Sequence, residues 1–169
     1  MQSFEKIDVK SLENSIKAIG DDWMLITVKD NKNNKVNAMT ASWGALGVLW
    51  NKPVCICFIR PERYTYKLLE DKKELSIAFL DESKRGALTF CGRNSGADCD
   101  KLSACGLSAT ELDNVAVIAE AEVNLCCRVL YEGDLDKSGF LDESLLKNYA
   151  NAGYHRMFVC EILNAYKKQ

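Results

Sequence analysis

The sequence predicts a mainly β domain, an antiparallel barrel with peripheral helices, and three observations carry that expectation. Runs such as WMLITV (23–28), PVCICFIR (53–60) and YHRMFVCEILNA (154–165) are apolar or alternating at strand length. Clusters rich in Asn, Asp and Gly separate them and can turn the chain at low cost. Helical patterns are few and do not alternate regularly with the strands, which argues against parallel α/β units.

At 169 residues the chain suits one domain, 1–169, long enough to bury roughly 70 % of its unfolded surface. Its 22 basic and 24 acidic side chains leave a formal charge of −2 with no basic block, which argues against nucleic acid and against an anionic membrane surface as partners. No apolar run approaches the ~18 residues that span a bilayer, and the start MQSFEKIDVK lacks the apolar core of a signal peptide. A cytoplasmic protein with a small ligand is therefore expected. The 8 cysteines fit the same compartment: Cys55 and Cys57 lie within VCICF, and Cys126 and Cys127 are neighbours in a strand run. There is no CxxC and only 1 histidine, so no metal site is expected. Cys91, Cys99 and Cys105 fall in a polar, loop-like region and are read either as inert thiols or as redox groups.

Taken in order, residues 9–19 place Leu12, Ile16 and Ile19 at helical spacing, a short amphipathic helix that Gly20 can stop. Residues 23–28 are a strand, and the polar cluster 30–34 is a hairpin turn. The stretch VNAMTASWGALGVLWN (36–51) returns as its partner. It runs uncharged between Lys35 and Lys52, yet is too polar and Gly-rich for plain core. Asn37, Thr40, Ser42 and Trp43 read as a polar set against small apolar Ala38, Met39 and Ala41, and Gly44 and Gly47 allow turns and a close approach to a ligand. A half-buried strand entering a buried loop is the competing reading. Residues 53–60 are a strand buried on both sides.

RPERYTYKLLEDKK (60–73) then opens a helix near 63–65 with Arg60, Arg63, Tyr64 and Thr65, donors suited to an anion such as phosphate, or else a solvated helix start. LSIAFL (75–80) is a strand, and Ser83 is placed as the N-cap of a helix carrying Leu88 and Phe90 to Gly92. CGRNSGADCDKLSACG (91–106) is a long loop in which Arg93 and Lys101 either reach a ligand or are ordinary surface charges. VAVIAEAEV and LCCRVLY are strands, LDKSGFLDESLLKNY (135–149) is an acidic loop with a short helix, and the last strand carries His155 at its entrance.

Four strings, NAMTASWGALGVLWNKP, RPERYTY, FCGRNSG followed by DCDKL, and YHRMFVCEI, occur in this order at spacings that resemble the flavin reductase-like family of FMN-binding split barrels, in particular its flavoredoxin-like branch. The match runs from about Trp23 to Leu163. The resemblance implies a six-stranded antiparallel Greek-key split barrel forming a homodimer, with FMN near the interface. It implies that Asn37, Ala38, Met39, Thr40, Ala41, Ser42 and Trp43 line the ring and ribityl chain. Arg60, Arg63, Tyr64, Thr65, Arg93, Ser95, Gly96 and Lys101 would then serve the phosphate and ring edge. The family's Gly-Asp-His is Gly153, Tyr154, His155 here. The retained His implies nicotinamide positioning with NADH or NADPH as donor, and Tyr154 leaves the binding mode of the dinucleotide open. Electrons would pass through FMN to a free flavin, a quinone-like acceptor or a protein. The alternatives are a flavoredoxin-like carrier reduced by a protein partner, a non-catalytic FMN-binding protein, and a relative using another phosphate-bearing ligand.

Overall fold

The computed structural model describes residues 3–71 and 73–169. The first two residues of MQSFEKIDVK, and Lys72 within the segment 60–73, lie outside the described residues. Strand β1 (Phe4–Ile7) leads to a single turn of helix α1 (Ser15–Lys17) that widens into a π turn at Ala18–Asp22. The expected helix over 9–19 is thus broken, because Asn14 adopts a left-handed φ of 53° ahead of it. Ile16, placed on the apolar face by spacing, is 87 % exposed, and Gly20 sits inside the π turn rather than ending a helix.

Strands β2 (Met24–Asp30) and β3 (Lys35–Ala41) form the expected hairpin, with Asn34 in the left-handed region of the turn. Every residue from Met24 to Val28 is buried, because β2 has core on both faces. Met24, Ile26 and Val28 point into the barrel, whereas Leu25 packs on the other side. The chain crosses at Ser42 and Trp43 into β4 (Gly44–Leu49), a strand where the sequence suggested a loop. β4 pairs with β5 (Lys52–Ile59) through a turn whose residues Trp50 and Asn51 both have positive φ, the pairing that matches strand twist. Gly44 is required here, since a Cβ would lie 2.6 Å from the Ile56 carbonyl oxygen. Contrary to the expectation of a strand buried on both sides, β5 buries Cys55, Cys57 and Ile59 but leaves Ile56 and Phe58 half-buried.

Helix α2 (Tyr64–Asp71) follows, then β6 (Glu74–Phe79) and α3 (Arg85–Arg93). The cap before α3 is Asp81, whose carboxylate accepts the Ser83 N–H through a 3₁₀ turn at Glu82–Lys84, so Ser83 is the donor and not the cap. The expected long loop is shortened by α3, which continues to Arg93, and by α4 (Lys101–Ala104), capped by Asp100. A small hairpin of β7 (Ala109–Leu112) and β8 (Val115–Ile118) precedes the long strands β9 (Val123–Asp134) and β10 (Arg156–Lys168).

The main sheet is antiparallel throughout, in the order β3-β2-β6-β9-β10-β5-β4, with β1 added to β10. It has 8 strands rather than the expected six. The inner core is supplied by β2, β3, β5, β6, β9 and β10, with residues such as Met24, Ile77, Leu125 and Phe158, while β1 and β4 are additions to the edges. A second core of Leu25, Ala38, Ala78, Leu88, Cys91 and Leu102 lies outside the barrel beneath α3 and α4. β3 and β4 end the sheet and do not pair with each other, so the barrel stays split, and the Ser42–Trp43 link spans the opening.

Candidate functional site

Two cavities meet at that opening. One of about 240 Å³ is lined by Met39 to Trp43, Phe58, Arg60, Arg63 and His155. The other, about 260 Å³, is lined by Glu62 to Thr65, Arg93 to Gly96 and Lys101. Arg63 belongs to both, so they form one groove whose two ends differ in chemistry.

The cationic end is built on the C-terminus of α3, where a helix leaves carbonyls without intrahelical partners. Arg63 donates to the Gly92 carbonyl at 2.8 Å and to the Cys91 carbonyl at 3.3 Å. Lys101 donates to the Cys91 and Asn94 carbonyls, both at 3.3 Å, and is only 4 % exposed. Burial pulls its ammonium below the ordinary lysine value, and nearby Arg63 adds to this against the opposing pull of the Cys91 thiol. With no carboxylate among these partners, both cations keep N–H groups for an anion. Gly96 closes the end: a Cβ there would fall 1.9 Å from Asn37 Oδ1 and 3.2 Å from Tyr64 Cδ1. Asn37 donates to Thr65 Oγ1 at 2.7 Å, while its Oδ1 is buried without a hydrogen bond. The Tyr64 hydroxyl donates to Asp30 at 2.6 Å.

The aromatic end is covered by the segment between β9 and β10, whose main-chain groups are clamped by the β5–α2 connection. Arg60 donates to the Asn148 carbonyl at 2.9 Å and the Gly153 carbonyl at 3.3 Å, with its guanidinium 5.4 Å from the Tyr149 ring centre. Glu62 accepts the Gly153 N–H at 2.7 Å. The clamp sets His155, whose ring lies 5.2 Å from Trp43 and whose Nδ1 is 3.2 Å from the Tyr149 hydroxyl. Burial first, then the Arg60 charge, push the imidazole down to about 4, against a weaker opposite pull from Glu62. The histidine is therefore neutral at ordinary pH.

The structure sorts the residues expected in the site. Met39, Thr40, Ala41, Ser42, Trp43, Arg60 and His155 gather at the aromatic end, Arg93, Ser95, Gly96, Lys101, Tyr64 and Thr65 at the cationic end, and Arg63 between them. Asn37 lines an adjoining cavity of about 420 Å³ shared with Tyr64, Gly96 and Lys101. Ala38 is fully buried in the outer core, so its side chain is packing rather than lining. The expected single polar face of β3 is also corrected: strand parity puts Asn37 with Met39 and Ala41, and Thr40, which donates to the Leu88 carbonyl, with Ala38. Arg60 stands with the aromatic residues and away from the cationic end, because its donors are engaged by the clamped segment. Phe58, Glu62 and Tyr149 were not singled out by sequence. Alternation along β5 could have marked Phe58, whereas no local signal marks Tyr149.

All 8 cysteines are free thiols. Burial pushes Cys91 up to about 12 and also raises Cys105, so neither is poised as a thiolate. Among the described residues no group of three or more His, Cys, Asp or Glu is placed to hold a metal ion, and no helix is long and apolar enough to cross a membrane.

Comparison with known proteins now bears on this site. A search of curated proteins finds no match. Solved structures with the same fold include an FMN-binding domain of a flavin reductases-like enzyme from Shewanella baltica, with 15 % identity, a TM-score of 0.71, and coverage of 98 % of this chain and 78 % of that one. Flavoredoxin from Methanosarcina acetivorans matches at 22 % identity and TM-score 0.67 over 88 % of this chain and 69 % of that one. Flavoredoxin of Desulfovibrio vulgaris matches at 16 % identity and TM-score 0.69 over 98 % and 77 %. The model of the flavin reductase like domain matches residues 18–169, nearly the whole chain, and the protein belongs to the flavin reductase-like family.

Proposed function

We propose that this protein is an FMN-binding oxidoreductase that takes electrons from NADH or NADPH and delivers them to a free flavin, a quinone-like acceptor or a partner protein. The observation that carries the reading is the groove itself, which joins a slot edged by Trp43, Phe58 and a neutral His155 to the buried Lys101 and the half-buried Arg63. A flat ring at one end of a chain and a dianionic phosphate at the other suit such a groove.

The donor set fits FMN. Lys101 and Arg63 meet only carbonyl oxygens, and a phosphate would complete their coordination and relieve the burial of the ammonium. The orphaned Asn37 Oδ1 is a buried acceptor beside that end, suited to a sugar-type hydroxyl. When bound, the flavin supplies the hydride-accepting chemistry. The chain's own residues do the rest: Arg63 and Lys101 hold the phosphate, Trp43 and Phe58 narrow the slot and exclude water, and His155 donates a hydrogen bond that orients the nicotinamide.

A homodimer belongs to the same proposal. β4 is an edge strand, paired with β5 on one side only, with Val48 76 % and Trp50 55 % exposed, within a stretch that carries no charge from Val36 to Asn51. A bare apolar edge of this kind invites a second copy, and Trp43 at the head of β4 would then lie beside it.

The test is an absorption spectrum of the purified protein followed by anaerobic addition of NADH and then NADPH. Bleaching of the flavin band on a catalytic timescale is the expected result. A flavin that only dithionite bleaches would replace the reading with an electron carrier, and a protein that stays colourless in FMN would overturn both.

A further inference from the structure

We propose that Tyr149 is a positioning residue that holds His155 in the tautomer with the proton on Nε2, so that the groove presents a neutral hydrogen-bond donor to a carbonyl oxygen of a conjugated amide or ketone. The inference rests on the reading just given for the ligand, and not for the tautomer.

The geometry leaves two arrangements for the 3.2 Å contact between the Tyr149 hydroxyl and Nδ1. If Nδ1 carried the proton, the phenol oxygen would accept, and its own O–H would need a further acceptor. Among the described residues no such acceptor is hydrogen-bonded to it. If Nδ1 is bare, the phenol donates its one proton and both groups are satisfied. Burial raises the Tyr149 phenol above its ordinary value against the opposing charge of Arg60, so the phenol keeps the proton it donates, and the Arg60 charge disfavours the imidazolium that would leave Nδ1 protonated. The charged and titratable groups facing His155 are Arg60 and Glu62 from the β5–α2 connection and Tyr149 from the covering segment, with Tyr154 stacked on Tyr149 at 4.8 Å and Trp43 5.2 Å from the imidazole. Trp43 at 5.2 Å and Tyr149 at 5.6 Å between ring centres pack against the imidazole and restrict its turning. Nε2 is thus the nitrogen left for the cavity that His155 lines. A neutral N–H there suits an uncharged acceptor oxygen, such as a carboxamide or enone carbonyl, and gives a cationic group nothing to bind.

The chain has 1 histidine, so long-range ¹H–¹⁵N NMR of uniformly labelled protein reports its tautomer without assignment. The expected result at neutral pH is a single tautomer protonated at Nε2, which becomes a mixture in Tyr149→Phe while the melting temperature stays close to wild type. A proton on Nδ1 in the wild type overturns the proposal with no variant needed, and so does an unmixed Nε2 tautomer in Tyr149→Phe. In turnover, Tyr149→Phe should raise KM for NADH several-fold more than it lowers kcat. A protein that NADH cannot reduce fails the reading of function and leaves the NMR result standing, so the two ideas fail separately.

Discussion

The two ends of the groove each hold an arginine from the same short segment, and the two arginines do different work. Arg63 is half-buried against the carbonyls that end α3, with Lys101 beside it and, among the described residues, no carboxylate bonded to either. Arg60, three residues earlier, is occupied by the carbonyls of Asn148 and Gly153 and by the Tyr149 ring. Both look alike as donors in the sequence. What separates them is the source of their carbonyl partners: the stationary end of a helix leaves N–H groups over for a ligand, whereas a long covering segment uses the guanidinium as its anchor. At one end of the groove the cations meet the carbonyls of a helix end, and at the other the guanidinium is engaged by the covering segment.

The sharpest way to break this comparison is by substitution at both ends. Lys101→Met should lower FMN affinity by about 1.5–3 kcal/mol, the range for a charged hydrogen bond and about 10- to 150-fold in Kd. Arg60→Ala should change it by less than about threefold, roughly 0.6 kcal/mol. Equal losses in a fluorescence titration would mean the phosphate has been assigned to the wrong end. Gly96→Ala tests the closure of the cationic end by a different route. A Cβ 1.9 Å from Asn37 Oδ1 must displace that buried side chain or the loop, for which about 1–3 kcal/mol of lost stability is expected. Gly86→Ala, in a helix and with nothing within 4 Å of the added carbon, should be neutral or stabilising by up to about 1 kcal/mol. Chemical denaturation of the two variants measures the contrast, and a tolerated Gly96→Ala would show that the loop does not rest on Asn37.

On the β4 edge, Val48→Asp should convert a dimer to monomer in light scattering while leaving the cationic end and its FMN affinity close to wild type. A wild type that is already monomeric would remove the second copy from the site. The last prediction concerns pH. His155 is held neutral in the fold, so above about 6.5 neither folded nor unfolded chain is protonated there and the group contributes no pH dependence. As pH falls from about 6.5 towards about 4, the unfolded chain takes up the proton first, and stability declines. His155→Gln should flatten that part of the stability profile. An unchanged slope would mean that the imidazole is not held neutral.

The sequence by itself determined the elements whose causes are local. Apolar runs at strand length placed β2, β5, β6, β9 and β10, and the asparagine-rich cluster placed the first hairpin, because alternation and turn chemistry act over a few residues. The uncharged 36–51 stretch and the cations at 60–65 and 93–101 were legible as candidates for the same reason. What only the tertiary structure decided is how those candidates are shared out. β3 has core on both sides, so Asn37 and Thr40 face opposite ways, which no reading of polarity reveals until α2 and α3 are packed on either side. The exposure of Ile16 follows from one left-handed Asn14. The partner of Arg60 at Asn148 exists because the sheet order brings β5 beside β10, across a separation of 88 residues. Such contacts depend on which strands are neighbours, a property of the folded sheet that is not written in any one segment.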